Sequence, residues 1–202
     1  MNVRRLILKF VLAAGAMLLV PATAIPLAAA EVELKTSDDG MFTQAWFKHT
    51  SFLDIADDLD EAKGAGKHLA ILFEQKGCPY CREMHRVNFA DKEIREYIKK
   101  TFDVVQLNLW GDREVTDFDG QTLSEKKFGR KYRVMFTPTI LFIDEKGEEV
   151  VRMPGYFKPF HFKHLFVYAA EKGYLKEPNF QRWLSAKADE MREQGKEVKL
   201  WD

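Results

Sequence analysis

Two cysteines, Cys78 and Cys81, are the only ones in the 202-residue chain, and they sit two residues apart in Cys78-Pro79-Tyr80-Cys81. Three chemistries use such a pair. A structural staple is the weakest explanation: a bridge across two residues closes a tiny loop and removes little entropy from the unfolded chain. Structural zinc wants four ligands, usually two such pairs; His85 would be a third, and no second Cys or paired-His element follows. Thiol–disulfide exchange needs one exposed nucleophile and one resolving thiol, which this spacing supplies. Cys78 would open a helix, where free N–H groups favour a thiolate. Pro79 suits the first helical turn. Cys81, one turn further in, would resolve.

The segments around the pair must place it. His68 to Phe73 is a nearly continuous apolar run and reads as a buried strand leading into the motif. Helix continues over Arg82–Phe89, and Asp91 caps another over Lys92–Thr101. Before the motif, Phe52, Ile55, Ala56, Leu59 and Ala62 have helical spacing within Phe42–Ala65, and Gly64-Ala65-Gly66 ends that helix. Glu31–Met41 reads as a polar, flexible start. After the motif come a strand over Asp103–Trp110, an acidic loop over Gly111–Gly120 and a helix over Thr122–Tyr132. A hairpin follows (Thr139–Ile143, a turn at Glu145-Lys146-Gly147, Glu148–Met153), then helices over Lys158–Gly173 and Pro178–Gln194. Alternating strands and helices closed by a hairpin predict an α/β sheet with helices on both faces.

Thr137-Pro138-Thr139, just before an apolar strand, is the second constellation. Pro138 could be a plain strand entry or a cis proline. In the second case the Thr137 backbone could pair with an extended substrate segment.

Apolar residues make up 46% and charged residues 31%, an ordinary globular balance. The formal net charge is zero, so no basic bias points to nucleic acid. Residues 1–30 carry Arg4, Arg5 and Lys9 and no acid. The run Phe10–Ala30 is uncharged and ends in Ala28-Ala29-Ala30, the pattern of a secretory signal peptide cleaved before Glu31. An earlier cut, after Ala24, and an uncleaved anchor are the alternatives. The strongly apolar part stops at Val20 and Pro21 and Pro26 interrupt the rest, which favours cleavage. Either way the body lies outside the cytoplasm. Without the leader, 28 basic residues face 31 acidic ones in a single domain over 31–202.

The order strand, CPYC, helix, strand, helix, Thr-Pro, hairpin, helix resembles the thioredoxin fold. Within it the chain is similar to the periplasmic thioredoxins of the SoxW type, linked to sulfur-oxidation loci. The likeness runs from about Phe52 to Gly173. It is carried by Phe73-Glu-Gln-Lys-Gly-Cys-Pro-Tyr-Cys81, by the loop Gly111-Asp-Arg-Glu-Val-Thr-Asp-Phe-Asp-Gly120, by Phe136-Thr-Pro-Thr139 and by Pro154-Gly155-Tyr156. A helical extension over about 177–196 lies outside it.

This resemblance implies a central mixed sheet of four to five strands, with extra helices at both ends. It implies a redox-active Cys78/Cys81 pair needing no further cofactor or metal, and a cis peptide at Thr137–Pro138 facing it. Thr137, Pro138 and Pro79 would contact substrate, and Tyr80 either offers it an apolar contact or is a capping aromatic on the helix rim. It also implies periplasmic residence and reduction of partner-protein disulfides; since the sequence holds no nucleotide-binding motif, the electrons would come from a membrane thiol-electron transporter. One departure matters. Ordinary thioredoxins carry a buried Asp six residues before the first Cys; here that residue is Leu72. Glu74 is the nearest acid and either takes over as proton acceptor for Cys81 or is a satisfied or edge carboxylate. Lys76 either adds positive potential near Cys78 or is simply solvated. Pro-Tyr is the glutaredoxin-like pair, which by analogy points to a potential nearer −200 to −230 mV than about −270 mV. A net oxidant and a copper(I)-binding metallochaperone are the rival readings.

Overall fold

The computed structural model describes residues 34–49 and 51–200; the predicted leader lies outside the described residues. The polar start is not loose. β1 (Lys35–Thr36) pairs antiparallel with β2 (Phe42–Thr43) across a turn in which Gly40 takes a positive φ of 78°. α1 (Ile55–Gly64) begins only after Asp54, whose carboxylate accepts from the N–H groups of Ala56 and Asp57. The helix expected to start upstream is therefore shorter. Phe52, expected on its apolar face, is 99% exposed.

β3 (His68–Glu74) follows, then α2 (Pro79–Glu83), which runs directly into a π-helical segment, Met84–Asn88. α3 (Lys92–Thr101) is capped by the Asp91 carboxylate on Ile94 N–H and leads into β4 (Phe102–Asn108). The acidic stretch expected as a loop forms half of a small hairpin. β5 (Glu114–Thr116) pairs with β6 (Thr122–Ser124), so the next helix, α4 (Glu125–Lys131), starts later than its pattern suggested. β7 (Thr139–Ile143) and β8 (Glu149–Pro154) form the predicted hairpin. α5 (Pro159–Ala170) and α6 (Phe180–Glu193) close the chain.

The main sheet has the order β4-β3-β7-β8. β3 and β4 are parallel and the other pairs antiparallel. Alternation along each strand sends successive side chains to opposite faces. Ala70, Leu72, Val104, Ile140 and Phe142 meet α3 and α5 through Ile94, Ile98, Phe162 and Phe166. Leu69, Ile71, Phe73, Leu107 and Leu141 meet α1 and α4 through Ile55, Leu59 and Phe128. Burying each of the larger of these side chains, Val, Leu, Ile or Phe, contributes about 1.5–3 kcal/mol. Both faces of β3 are thus committed to packing, and the strand delivers its carboxyl end, with the cysteine motif, to a fixed place. α6 extends the first core: Leu184 and Ala188 are buried, and Trp183 packs on Tyr168 at 5.1 Å between ring centroids.

Candidate active site

Cys78 is the N-cap of α2, with extended backbone (φ −74°, ψ 113°), and Pro79 occupies the first helical turn. Gly77, at φ 72°, makes the turn from β3 that most side chains would resist. The pair is closed as a disulfide, with Cα atoms 5.2 Å apart. Cys78 Sγ also accepts from Cys81 N–H at 3.0 Å. A donor already aimed at this sulfur favours a thiolate there after reduction. Cys78 is 3% exposed and Cys81 fully buried, so the first sulfur is the one a substrate can reach.

The turn before β7 supplies the facing wall. The Thr137–Pro138 peptide is cis. Thr137 O lies 3.7 Å from Cys78 Sγ. Pro138 O accepts from Gly155 N–H at 2.8 Å, and Thr139 Oγ1 donates to Phe136 O at 2.8 Å. These bonds tie the turn to β7 and β8 and hold it against the disulfide.

Exposed apolar side chains flank both elements. Tyr80 is 63% exposed on α2, while Met135 and Phe136 stand just ahead of the proline turn. Trp110, also exposed, is tied to the segment after β3 by its Nε1–H donating to Gln75 Oε1 at 2.7 Å. Of these, Tyr80 was singled out in the sequence, where it could contact substrate. Trp110, Met135 and Phe136 were not, because a single aromatic at a strand end carries no pattern. Lys76 is exposed, its aliphatic stem lying across Gly40.

Glu74 is wholly buried and hydrogen-bonded. Both carboxylate oxygens lie 3.1 Å from His85 Nε2, and Gln106 Nε2 also donates to it. His85 is buried too, its Nδ1 3.0 Å from Gln44 Nε2. A Glu and a His eleven residues apart on different elements are not pairable by spacing, and Gln44 and Gln106 gave no signal at all. Leu72, in the place of the usual buried acid, is core.

The acids of the 111–120 segment do not make a cation site. Asp117 and Asp119 both pair with Lys131, at 2.5 and 2.6 Å, and Tyr132 OH donates to Asp117. Among the described residues no cluster of His, Cys, Asp or Glu has the arrangement of a metal site, and no helix is long and apolar enough to cross a membrane.

The family model of a thioredoxin-like domain matches residues 55–170. A thiol:disulfide interchange protein, DsbD, from Colwellia psychrerythraea is 24% identical over 115 residues. That alignment covers 56% of this chain and 17% of DsbD, so the chain spans a small part of that relative's length. A thioredoxin-fold protein from Helicobacter pylori superposes with a TM-score of 0.51 at 25% identity, covering 60% of this chain and 81% of that one.

Proposed function

The chain belongs to the family of thioredoxin-like domains, and from that membership we propose that it is an exported thiol–disulfide oxidoreductase that reduces partner-protein disulfides through Cys78 and Cys81. The observation that carries this reading is the position of the Cys78 sulfur: capping α2, 3.0 Å from Cys81 N and 3.7 Å from Thr137 O.

In the reduced protein the Cys78 thiolate attacks one sulfur of a substrate disulfide. A Cys78–substrate disulfide forms and the other substrate sulfur leaves as a thiolate. Cys81 loses its proton and attacks Cys78 Sγ. The Cys78–Cys81 bond closes and the second substrate sulfur is released, so two electrons have passed to the substrate. Tyr80, Trp110, Met135 and Phe136 form the apolar rim on which an extended protein segment docks, with the Thr137 backbone beside it. The basic and apolar leader pattern supports export to the periplasm, the likeness to a thiol:disulfide interchange protein supports exchange with partner thiols, and the electrons are proposed to come from a membrane thiol-electron carrier.

A Cys81→Ser variant tests the reading. It retains the attacking thiol and lacks the resolving one, so it accumulates a mixed disulfide with an added disulfide-bonded protein, detectable as a mass adduct at Cys78 and reversible by dithiothreitol. No adduct with Cys81→Ser, or undiminished disulfide reduction by Cys78→Ser, contradicts it.

A further inference from the structure

The apolar rim around the cysteine pair has a cation beside each of its parts, and the exchange of sulfurs uses none of them. Lys76, exposed, stands between Gln75, which holds the Trp110 indole, and Gly77, which turns into Cys78. Lys126 carries its ammonium over the Trp110 ring, 5.5 Å from the centroid. Arg82, exposed, follows Cys81 on α2, two residues from Tyr80, and its backbone N–H donates to Cys78 O at 3.0 Å. Arg133, also exposed, precedes Met135 and Phe136. Among the described residues, none of these four is in an ion pair with a carboxylate.

The neighbouring acids are engaged elsewhere. Glu83 pairs with Arg86 at 2.8 Å. That hydrogen bond holds its carboxyl below the ordinary range, and the charges of Arg86, Lys158 and Arg82 add to the effect. Three cations therefore attend one acid on this side of α2. Glu74 and Glu125 are buried and hydrogen-bonded. Asp39 and Asp112 line a separate cavity of about 400 Å³, whose lining includes neither cysteine and no residue of the apolar rim. Beyond the leader the chain has more acidic than basic residues, 31 against 28. The positive rim is thus a local feature that runs against the balance of the whole.

We propose, resting on Cys78 and Cys81 as the exchanging pair, that the protein segments this site prefers carry Asp or Glu beside the cysteine of the disulfide to be reduced. Lys76 and Arg82 precede and follow the motif and meet carboxylates flanking the substrate sulfur, and Lys126 meets one from above Trp110. The rim's apolar side chains take the residues between. An exposed ion pair adds little to final affinity. Its effect lies in the rate of encounter and in the choice among partners, because a segment with Lys or Arg beside its cysteine is repelled. The same cations also favour the Cys78 thiolate. That effect is equal for every substrate and cancels from a ratio of rates.

Three disulfide-linked, fluorescence-quenched peptides provide the test, identical except that the residues on both sides of the cysteine are Glu, Gln or Lys. The full chain is reduced, freed of reductant and mixed with each peptide, and the second-order rate of thiol release is recorded. Dividing each rate by that of dithiothreitol with the same peptide removes the peptide's own reactivity. The Glu peptide should react about tenfold faster than the Lys peptide at low salt, the lower end of the range for electrostatic steering, with the Gln peptide between them. Raising the salt from about 0.01 M to about 1 M shortens the screening length from about 30 Å to about 3 Å and should bring the ratio below about threefold. Replacing both Lys76→Glu and Arg82→Glu should bring the low-salt ratio to one or below. The charge-conserving pair Lys76→Arg and Arg82→Lys should keep the wild-type ratio. A wild-type ratio near one, a ratio that salt leaves unchanged, or a wild-type ratio in the double Glu variant overturns the acidic preference and leaves the exchange reading standing. A wild-type protein that releases no thiol from any of the three peptides overturns both.

Discussion

The sulfur of Cys78 and the carbonyl oxygen of Thr137 lie 3.7 Å apart, although 59 positions separate the residues in the chain. The disulfide-bonded sulfur carries no hydrogen, so the oxidised state holds a contact here and not a hydrogen bond. Its value is positional. β3 and β7 are adjacent and antiparallel, with Phe73 opposite Thr139. The segment leaving one strand and the segment entering the other therefore meet at the same end of the sheet. A substrate sulfur that reaches Cys78 arrives beside the Thr137 backbone.

The apolar rim should separate protein substrates from small ones. Trp110 and Phe136 are exposed and flank the disulfide segment and the proline turn. Truncating a docking aromatic commonly costs more than 1 kcal/mol of binding. Trp110→Ala and Phe136→Ala are each expected to raise KM for a protein disulfide about five- to tenfold while leaving the reaction with a small aromatic disulfide within twofold. Equal effects on both substrates would remove the rim from docking.

Gly111 is required by close approach. A Cβ there would meet Glu125 Oε2 at 1.9 Å and Asn108 Cβ at 3.0 Å. Glu125 is buried, accepts from Asn108 N–H and pairs with Arg113, so its carboxylate has little room to move. Gly111→Ala should destabilise the protein by about 1–3 kcal/mol, read as a lower urea midpoint.

His164 gives a pH signature. Burial holds its imidazole below the ordinary histidine value, while its Nδ1–H donates to Phe160 O at 2.8 Å. The unfolded chain, with a pKa near 6.5, takes up a proton that the folded protein resists. Between the folded and unfolded values the unfolded state binds more protons, so stability is full above about pH 6.5 and falls as the pH drops from there toward the folded value. The urea midpoint should therefore fall between pH 7.5 and pH 5.5, and His164→Gln should lessen the fall. His68 and His161 are shifted the same way by burial and account for a remainder.

The parts of this architecture that were legible in the sequence are those with a local physical signature. β3 and β7 are continuous apolar runs because both faces of the strands are buried. Asp91 announces α3 because a carboxylate ahead of an amphipathic run caps free N–H groups. The cysteine motif announced a redox centre by its spacing and by the absence of other cysteines. What stayed hidden is either too short to carry a period or made only by contacts in three dimensions. The β1–β2 pair is two residues long on each side, too short for a period. In the β5–β6 hairpin Val115 is the buried residue, and its neighbours read as solvated loop. Phe52 mimicked a helix face, and the Asp54 cap that excludes it from α1 was present in the sequence but outweighed by the apolar spacing. The Glu74–His85 pair exists because a strand end and a π-helical segment come together in three dimensions.

The reduction potential of the Cys78–Cys81 couple, obtained by equilibration with glutathione or dithiothreitol buffers and mass-shift trapping of the thiols, tests the central claim most directly. An exchanging, reducing pair should titrate as one two-electron couple between about −270 and −200 mV. A value below about −300 mV, typical of structural disulfides, would contradict the redox role, and one near −120 mV would contradict the reducing direction.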